Sequence, residues 1–385
     1  IDSPFYNIFS DMSDKINNKD EIQDKARHLI KEKIIPAYID LDQYFTAVYL
    51  PSSRETFGLY DLPNGYEWYE HLANSHTTTE LTPNEIHEIG LNEVTRIKQE
   101  MMKIIESLDW QGSFDDFLHF LRTDPQFYYE TKEELFQAYL ATTKKIDPLI
   151  VKLFETLPRA PYGIKAIPKE SAPDTTTAYY MSPSPDGSRA GYFYVNLYRP
   201  EVRPKYEIEV LSVHEAVPGH HLQIALAMEL EGIPNFRKYS GYTAFVEGWG
   251  LYSESLGEDM GLYRDPYSKF GALTYDMWRA VRLVVDTGMH YKGWSRQKAI
   301  DFFKDNAAKT EQDIINEIDR YLIMPGQALA YKIGQLKLLE LKKKAQKELG
   351  ESFNIKEFHN VILEQGALPL NIVEERFDTY LLDAK

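Results

Sequence analysis

The sequence contains no cysteine. Disulfides, thiol nucleophiles and every Cys-ligated metal site are therefore out, and any metal must be held by His and carboxylate. Long hydrophobic runs are also missing: Leu283–Val285 is typical, and nothing approaches the roughly 18 apolar residues that a membrane span requires. Positive charge is scarce. Lys and Arg total 43 against 59 Asp and Glu, a net of −16, so a phosphate backbone would be repelled and a nucleic-acid partner is not expected. No internal repeat or low-complexity tract is visible. The chain opens Ile1-Asp2-Ser3 without a charged and apolar leader, so a removed leader, or a start inside a longer, N-terminally truncated protein, is expected. Lack of Cys suits an exported protein and is equally compatible with a cytoplasmic one.

What is present is ordinary folding composition. Of 385 residues, 43% are hydrophobic and 26% charged, enough for a sizeable core in two lobes or one large domain. Most of it reads as helix. Thr82-Pro83-Asn84-Glu85 is a capping box with Pro at the first helical position, and apolar residues from Ile86 to Ile104 follow at three-to-four spacing, predicting a helix to about Leu108. Ser113 opens a second helix to about Thr123, and a third is expected from about Lys132 to Leu157. Between Pro158 and Pro204 the character changes: eight prolines accompany the aromatic and β-branched run Gly191–Leu197. Strands belong here. The expected organisation is a helical N-terminal region, 1–160, and a catalytic region, 161–385, or one continuous domain.

Three of the ten histidines fall in His214-Glu215-Ala216-Val217-Pro218-Gly219-His220-His221. Zinc-binding helices place two histidines at i and i+4, with a Glu beside the first to take the proton of the attacking water. Here i+4 is Pro218, which cannot ligate. An unbroken helix would carry His220 about 9 Å along the axis and about 120° round from His214, so the site requires a bulge. Pro218 and Gly219 are the residues expected where two extra residues leave a helix. With the bulge His220 returns to the face of His214; His221 is the rival second ligand. The bland alternative is a Pro-Gly turn with histidines on a solvated loop, but the apolar flanks Leu211, Val213, Ala216, Leu222 and Ile224 point inward. Glu247, within Ala244–Glu254, is the expected third ligand, and Glu254, seven residues on, shares its face.

His214–Gln223, Phe245–Tyr252, Leu62–Gly65, His76–Thr79 and Gly326–Lys332 together resemble a large bacterial family labelled domain of unknown function 885, whose members are often described as lipoproteins or secreted proteins. The resemblance runs over nearly the whole chain. It implies a mainly α (α+β), zincin-like helical metallopeptidase fold, with a small antiparallel sheet beside the zinc helix, related to oligopeptidases, carboxypeptidases and angiotensin-converting enzyme. It also implies a periplasmic or membrane-anchored location. The two-residue expansion of the histidine motif is a departure from those peptidases.

Such a site needs a donor for the developing oxyanion. Tyr is the usual donor in such relatives, and Tyr331 is the candidate, with Tyr321 behind it. Arg282, Asp286 and His290 lie at i, i+4 and i+8. Arg282 is expected either to bind a peptide's C-terminal carboxylate or to join an Arg-Asp-His ladder, and His290 either to donate to the scissile carbonyl or to complete that ladder. The run Tyr192–Leu197 is expected as an edge strand beside the zinc helix, with Asn196 near the cleft. His76, in a Thr-rich loop, is a further candidate for substrate contact. The expected function is a Zn2+-dependent hydrolase cleaving short peptides: His214, His220 and Glu247 hold the metal, Glu215 is the base, and Tyr331 or His290 stabilises the oxyanion. Alternatives are hydrolysis of a non-peptide amide or ester, or peptide capture without catalysis; iron or manganese in place of zinc also remains open.

Overall fold

The computed structural model describes residues 3–383. The chain divides into two compact units, Ile1–Phe57 and Gly58–Lys385. The first is helical, with a continuous run through Lys19–Leu29, Ile30–Ile34, Ile35–Tyr44 and Phe45–Tyr49, in which the second and fourth stretches are wound as π-helix. The second unit carries everything described below. Residue 160, the expected boundary, lies inside it.

The second unit opens with α1 (Gly65–Thr77) and α2 (Pro83–Ser107). In α2 the Thr82 hydroxyl accepts from Glu85 N and the Glu85 carboxylate accepts from Thr82 N, the reciprocal cap expected from the sequence. Ser113 caps α3 (Phe114–Thr123) in the same way, and Thr131 caps α4 (Lys132–Ile146). Helix α4 stops eleven residues short of the expected Leu157. Pro148 lacks an N–H and restricts Asp147, so the chain tightens into a 3-10 turn over Asp147–Lys152.

Three strands follow: β1 (Tyr162–Ala166), β2 (Ala178–Met181) and β3 (Gly191–Val195), in the order β1-β3-β2. The sheet is mixed, not antiparallel as expected: β2 pairs antiparallel to β3 and β1 pairs parallel to it. A parallel pair needs a crossover, which the chain between β1 and β3, β2 included, supplies. The run expected at the edge thus supplies the central strand, and β1 and β2 are the two edges.

The longer helices that follow are α5 (Ile208–Glu215), α6 (His220–Glu229), α7 (Thr243–Ser255), α8 (Pro266–Tyr291), α9 (Arg296–Lys304), α10 (Glu311–Ile323), α11 (Leu329–Leu349), α12 (Ile355–Leu363) and α13 (Leu370–Asp383). The long α8 is the axis of the unit, buried from Met277 to His290. It packs on α2 where Gly90 brings the backbones together: a Cβ there would lie 2.8 Å from Leu283 Cβ. Helices α7 and α11 approach still more closely, because a Cβ on Gly334 would sit 2.0 Å from the Ala244 carbonyl oxygen. A fully buried Lys332 on α11 ties three helices: its Nζ lies 2.8 Å from Glu93 on α2 and 2.7 Å from Asp276 on α8. Arg96 bonds the same two carboxylates. Helices from both sides of residue 160 therefore share one core.

Candidate metal centre and cleft

Seven of the eight residues of α5 are buried, Glu209 alone excepted, which brings His214 and Glu215 into the interior at its last turn. The helix then breaks. Ala216 (ψ −112°) and Gly219 (ψ −128°) leave helical geometry, the Val217–Pro218 peptide is cis, and α6 restarts at His220. Gly219 N donates to Val213 O (3.0 Å) and His221 N to Ala216 O (3.1 Å), so the ladder is rejoined across the excursion. Only glycine fits at 219, where a Cβ would lie 1.9 Å from the His214 carbonyl oxygen. From α7, Trp249 Nε1 and Ser253 Oγ donate to the freed Pro218 carbonyl at 2.9 and 3.4 Å.

The excursion brings the His214 and His220 rings to a centroid separation of 4.6 Å, with planes at 86°. Glu247, on α7, places Oε2 3.3 Å from His220 Nε2 and 3.7 Å from His214 Nε2. One ligating atom from each of the three lies within 4.8 Å of the others. His221, the rival ligand, is engaged elsewhere: Nδ1 meets Tyr180 Oη at 2.8 Å and Nε2 meets Ala160 O at 3.0 Å. The back of His214 is held by Glu254, whose Oε1 is 2.7 Å from Nδ1 and 3.5 Å from Arg279 Nη2. Gly250 gives the imidazole clearance, since a Cβ there would be 2.8 Å from His214 Cε1. Burial alone would lower the His214 pKa, but its bonds to Glu247 and Glu254 outweigh burial and raise it to about 9. Burial likewise opposes ionisation of Glu247, yet His220 and His214 hold it well below the usual carboxylate range.

These groups open into a cleft of about 340 Å³. Glu215 lines it, as do Thr176–Tyr180 at the β2 edge, Arg279 and Arg282 of α8, Glu317 and Arg320 of α10, and Tyr331 of α11. Burial pushes the Glu215 carboxyl above its ordinary range, partly countered by His220 and His214. Burial also raises the Tyr331 phenol, with the Glu247 charge adding to it.

A family model described as "Bacterial protein of unknown function (DUF885)" matches residues 2–377. The chain belongs to this family. A solved structure titled "the putative lipoprotein from Colwellia psychrerythraea" superposes with a TM-score of 0.95 at 33% identity, over 99% of this chain and 67% of that one. Another, titled "a putative lipoprotein of unknown function from Shewanella oneidensis", has a TM-score of 0.69 at 19% identity, covering 95% of this chain and 68% of its own, a likeness of fold alone. No curated protein is significantly similar.

In this DUF885 chain three expected site residues lie away from the cleft lining. His290 is buried against Tyr69, accepts from Leu59 N at Nδ1 (3.4 Å) and meets Tyr321 O with Nε2 (3.0 Å), so both ring nitrogens are committed to structure. Asn196 follows the central strand, and its side-chain amide donates to the carbonyls of Ala172, Thr175 and Thr176. It shapes the loop that leads into β2 and faces no cleft. His76 is half-buried in the last turn of α1, not in a loop, and burial lowers its pKa. The Arg-Asp-His ladder does not form either: Asp286 accepts from Tyr69 Oη (2.6 Å) and Gly326 N (2.9 Å), while Arg282 turns to α10. Glu317 and Arg320 went unread as cleft residues in the sequence, although with Tyr321 they stand at i, i+3 and i+4 on one helical face of α10. Tyr321 is ruled out as an oxyanion donor, because its hydroxyl donates to Glu317 (2.6 Å) and accepts from Trp278 (2.9 Å) and Arg282 (2.7 Å).

Proposed function

We propose that the chain is a zinc-dependent hydrolase of zincin-like kind that cleaves short peptides. The observation that carries this reading is the convergence of His214, His220 and Glu247 within 4.8 Å of one another, with Glu215 beside them on the same cleft. The donor set fits zinc: two imidazoles and one carboxylate, with His214 oriented from behind by Glu254, are three protein ligands that leave a fourth position open. Held by His214, His220 and Glu247, zinc would supply Lewis-acid polarisation of the scissile carbonyl and of water.

The chain's own groups do the rest. Glu215 accepts the proton of the attacking water and delivers it to the leaving amine, a role suited to a carboxyl whose pKa burial has raised. Tyr331, kept protonated by burial, donates its hydroxyl to the oxyanion. The free edge of β2 along the cleft offers backbone donors and acceptors to an extended substrate. The lipoprotein titles of the two solved relatives support export, with the chain held at a membrane surface by a lipid anchor; among the described residues no helix is long and apolar enough to cross a membrane.

Substituting Glu215→Gln keeps the shape and removes the base. We expect the variant to retain about one zinc by metal analysis and to lose about 10²–10⁴-fold in peptide turnover. Full activity in this variant would refute the reading.

A further inference from the structure

We propose that the cleft contains a carboxylate subsite, built on Arg282 with Arg279 beside it, that receives the C-terminal carboxylate of a peptide and makes the protein a carboxypeptidase. This rests on the peptidase reading above and adds the direction of attack.

Arg282 is 4% exposed and lines the cleft. Its guanidinium is fixed by Tyr321 Oη, which accepts from Nε at 2.7 Å, and by Glu317 Oε2, which accepts from Nη2 at 2.9 Å. Trp278 and Tyr331 present their rings to it at 4.9 and 4.2 Å. Held this firmly, Arg282 still has a buried Nη1 with no partner. A buried N–H without an acceptor is costly, so a group that brings an acceptor oxygen into the cleft gains a hydrogen bond there. Arg279, one helical turn earlier and also 4% exposed, lines the same cleft with its Nε unpartnered.

Charge points the same way. Glu317 serves Arg282 and, at 3.1 Å, Arg320. The nearest carboxylate to Arg279 is Glu254, already bonded to His214. Three guanidiniums on this wall share one carboxylate of their own, Glu317, while Glu215 and Glu247 stand with the histidines in the same cleft. Arg320 spends its remaining Nη1 on Gln327, which leaves Arg282 and Arg279 to take an anion. A carboxylate, planar with two acceptor oxygens, matches a guanidinium better than any other group on a peptide.

The subsite is close to the metal-ligating group. Tyr331 stacks under Arg282 and is near enough to Glu247 to feel its charge. Arg282 and Glu247 both line the one cleft of about 340 Å³, so a carboxylate held by Arg282 keeps the end of the peptide in the space where the bond is cut. The reaction balances as hydrolysis: water oxygen bonds to the carbonyl carbon, the C–N bond breaks, and the water's proton passes through Glu215 to the departing amine. The fragment released is the one that carries the C-terminus.

The test compares one peptide as free acid and as C-terminal amide, with products followed by mass spectrometry. Stepwise loss from the C-terminus of the acid, with the amide cut at least about 10²-fold more slowly, supports the inference. Arg282→Gln is expected to erase that preference while zinc content holds, and Arg282→Lys to restore part of it. Equal cleavage of acid and amide, or internal fragments, overturns the inference and leaves the peptidase reading standing. An amidated peptide ending in Asp, handled as well as the free acid, overturns the terminal assignment. Binding provides an independent arm: Glu215→Gln protein is titrated calorimetrically with an N-acetyl dipeptide as acid and as amide. If no peptide is hydrolysed the peptidase reading fails, and the calorimetry still decides the subsite, preference for the acid supporting it and equal affinity overturning it.

Discussion

Glu254 never reaches the cleft, yet it governs one of the groups that does. Its Oε1 lies 2.7 Å from His214 Nδ1, which fixes the ring's tautomer and leaves Nε2 facing Glu247. Replacing it with Gln retains the shape and removes the charge, and zinc affinity is expected to fall about 10–100-fold in chelator competition. Unchanged affinity would mean the ring is oriented by packing alone. At this scale the sequence was most informative for residues whose partners are near in the chain or carried by a motif: His214, Glu215, His220 and Glu247 converge as their chemistry demands. The choice of His220 over His221 was not legible, because it depends on Tyr180 and Ala160, far away in sequence. His290 was misread for the same reason. A helical stripe tells which residues share a face, whereas Tyr69, Leu59 and Tyr321 determine what that face meets.

Among the elements, the broken helix between α5 and α6 is decisive. The sequence predicted a bulge from Pro218 and Gly219, and the chain makes one by leaving the helix entirely for four residues. Gly219→Ala would drive a methyl to 1.9 Å from the His214 carbonyl oxygen. Relief requires a backbone shift beside His214 and His220, so a loss of about 1–3 kcal/mol is expected by chemical denaturation, and, on the zinc reading, reduced zinc content in the folded fraction. A variant as stable and as zinc-rich as the parent would show that the excursion tolerates a side chain. Helix ends marked by capping boxes were legible because cap and helix are contiguous. The parallel pairing of β1 with β3 was not, since strand partners are chosen by crossovers that leave no local pattern.

For the molecule as a whole, pH is the informative variable. Burial lowers His87 and His221 to about 4 and His359 to about 3. An unfolded chain protonates these histidines near 6.5, while the folded one resists until far lower pH, so their stabilisation is complete above 6.5 and is lost as pH falls toward 4. Glu215 and Asp286, raised by burial, work in the opposite direction and offset at most two of the three protons. Metal-free protein should therefore lose stability as pH falls from 6 to 4.5, by about 1.4 kcal/mol per pH unit for each whole proton left uncompensated. In that window His214, raised to about 9, carries its proton in both states and contributes nothing. Urea midpoints across the range provide the measurement, and a flat profile would mean the three imidazoles are not held neutral. The division of the chain was not legible in composition, because residues 58–160 differ little in character from the rest; their membership in the second unit is decided by packing.

Lys332 gives that membership a sharp edge. Its ammonium, wholly out of water, answers to one acid from α2 and one from α8. Strip away the helices ahead of the sheet and Glu93 and Arg96 go with them, taking one of the two acids and uncovering to water a pair that is sealed in the folded chain. The early helices are thus less a porch to the cleft than one of its foundation piers, and a shortened chain that began at the sheet would undermine the cleft it meant to isolate.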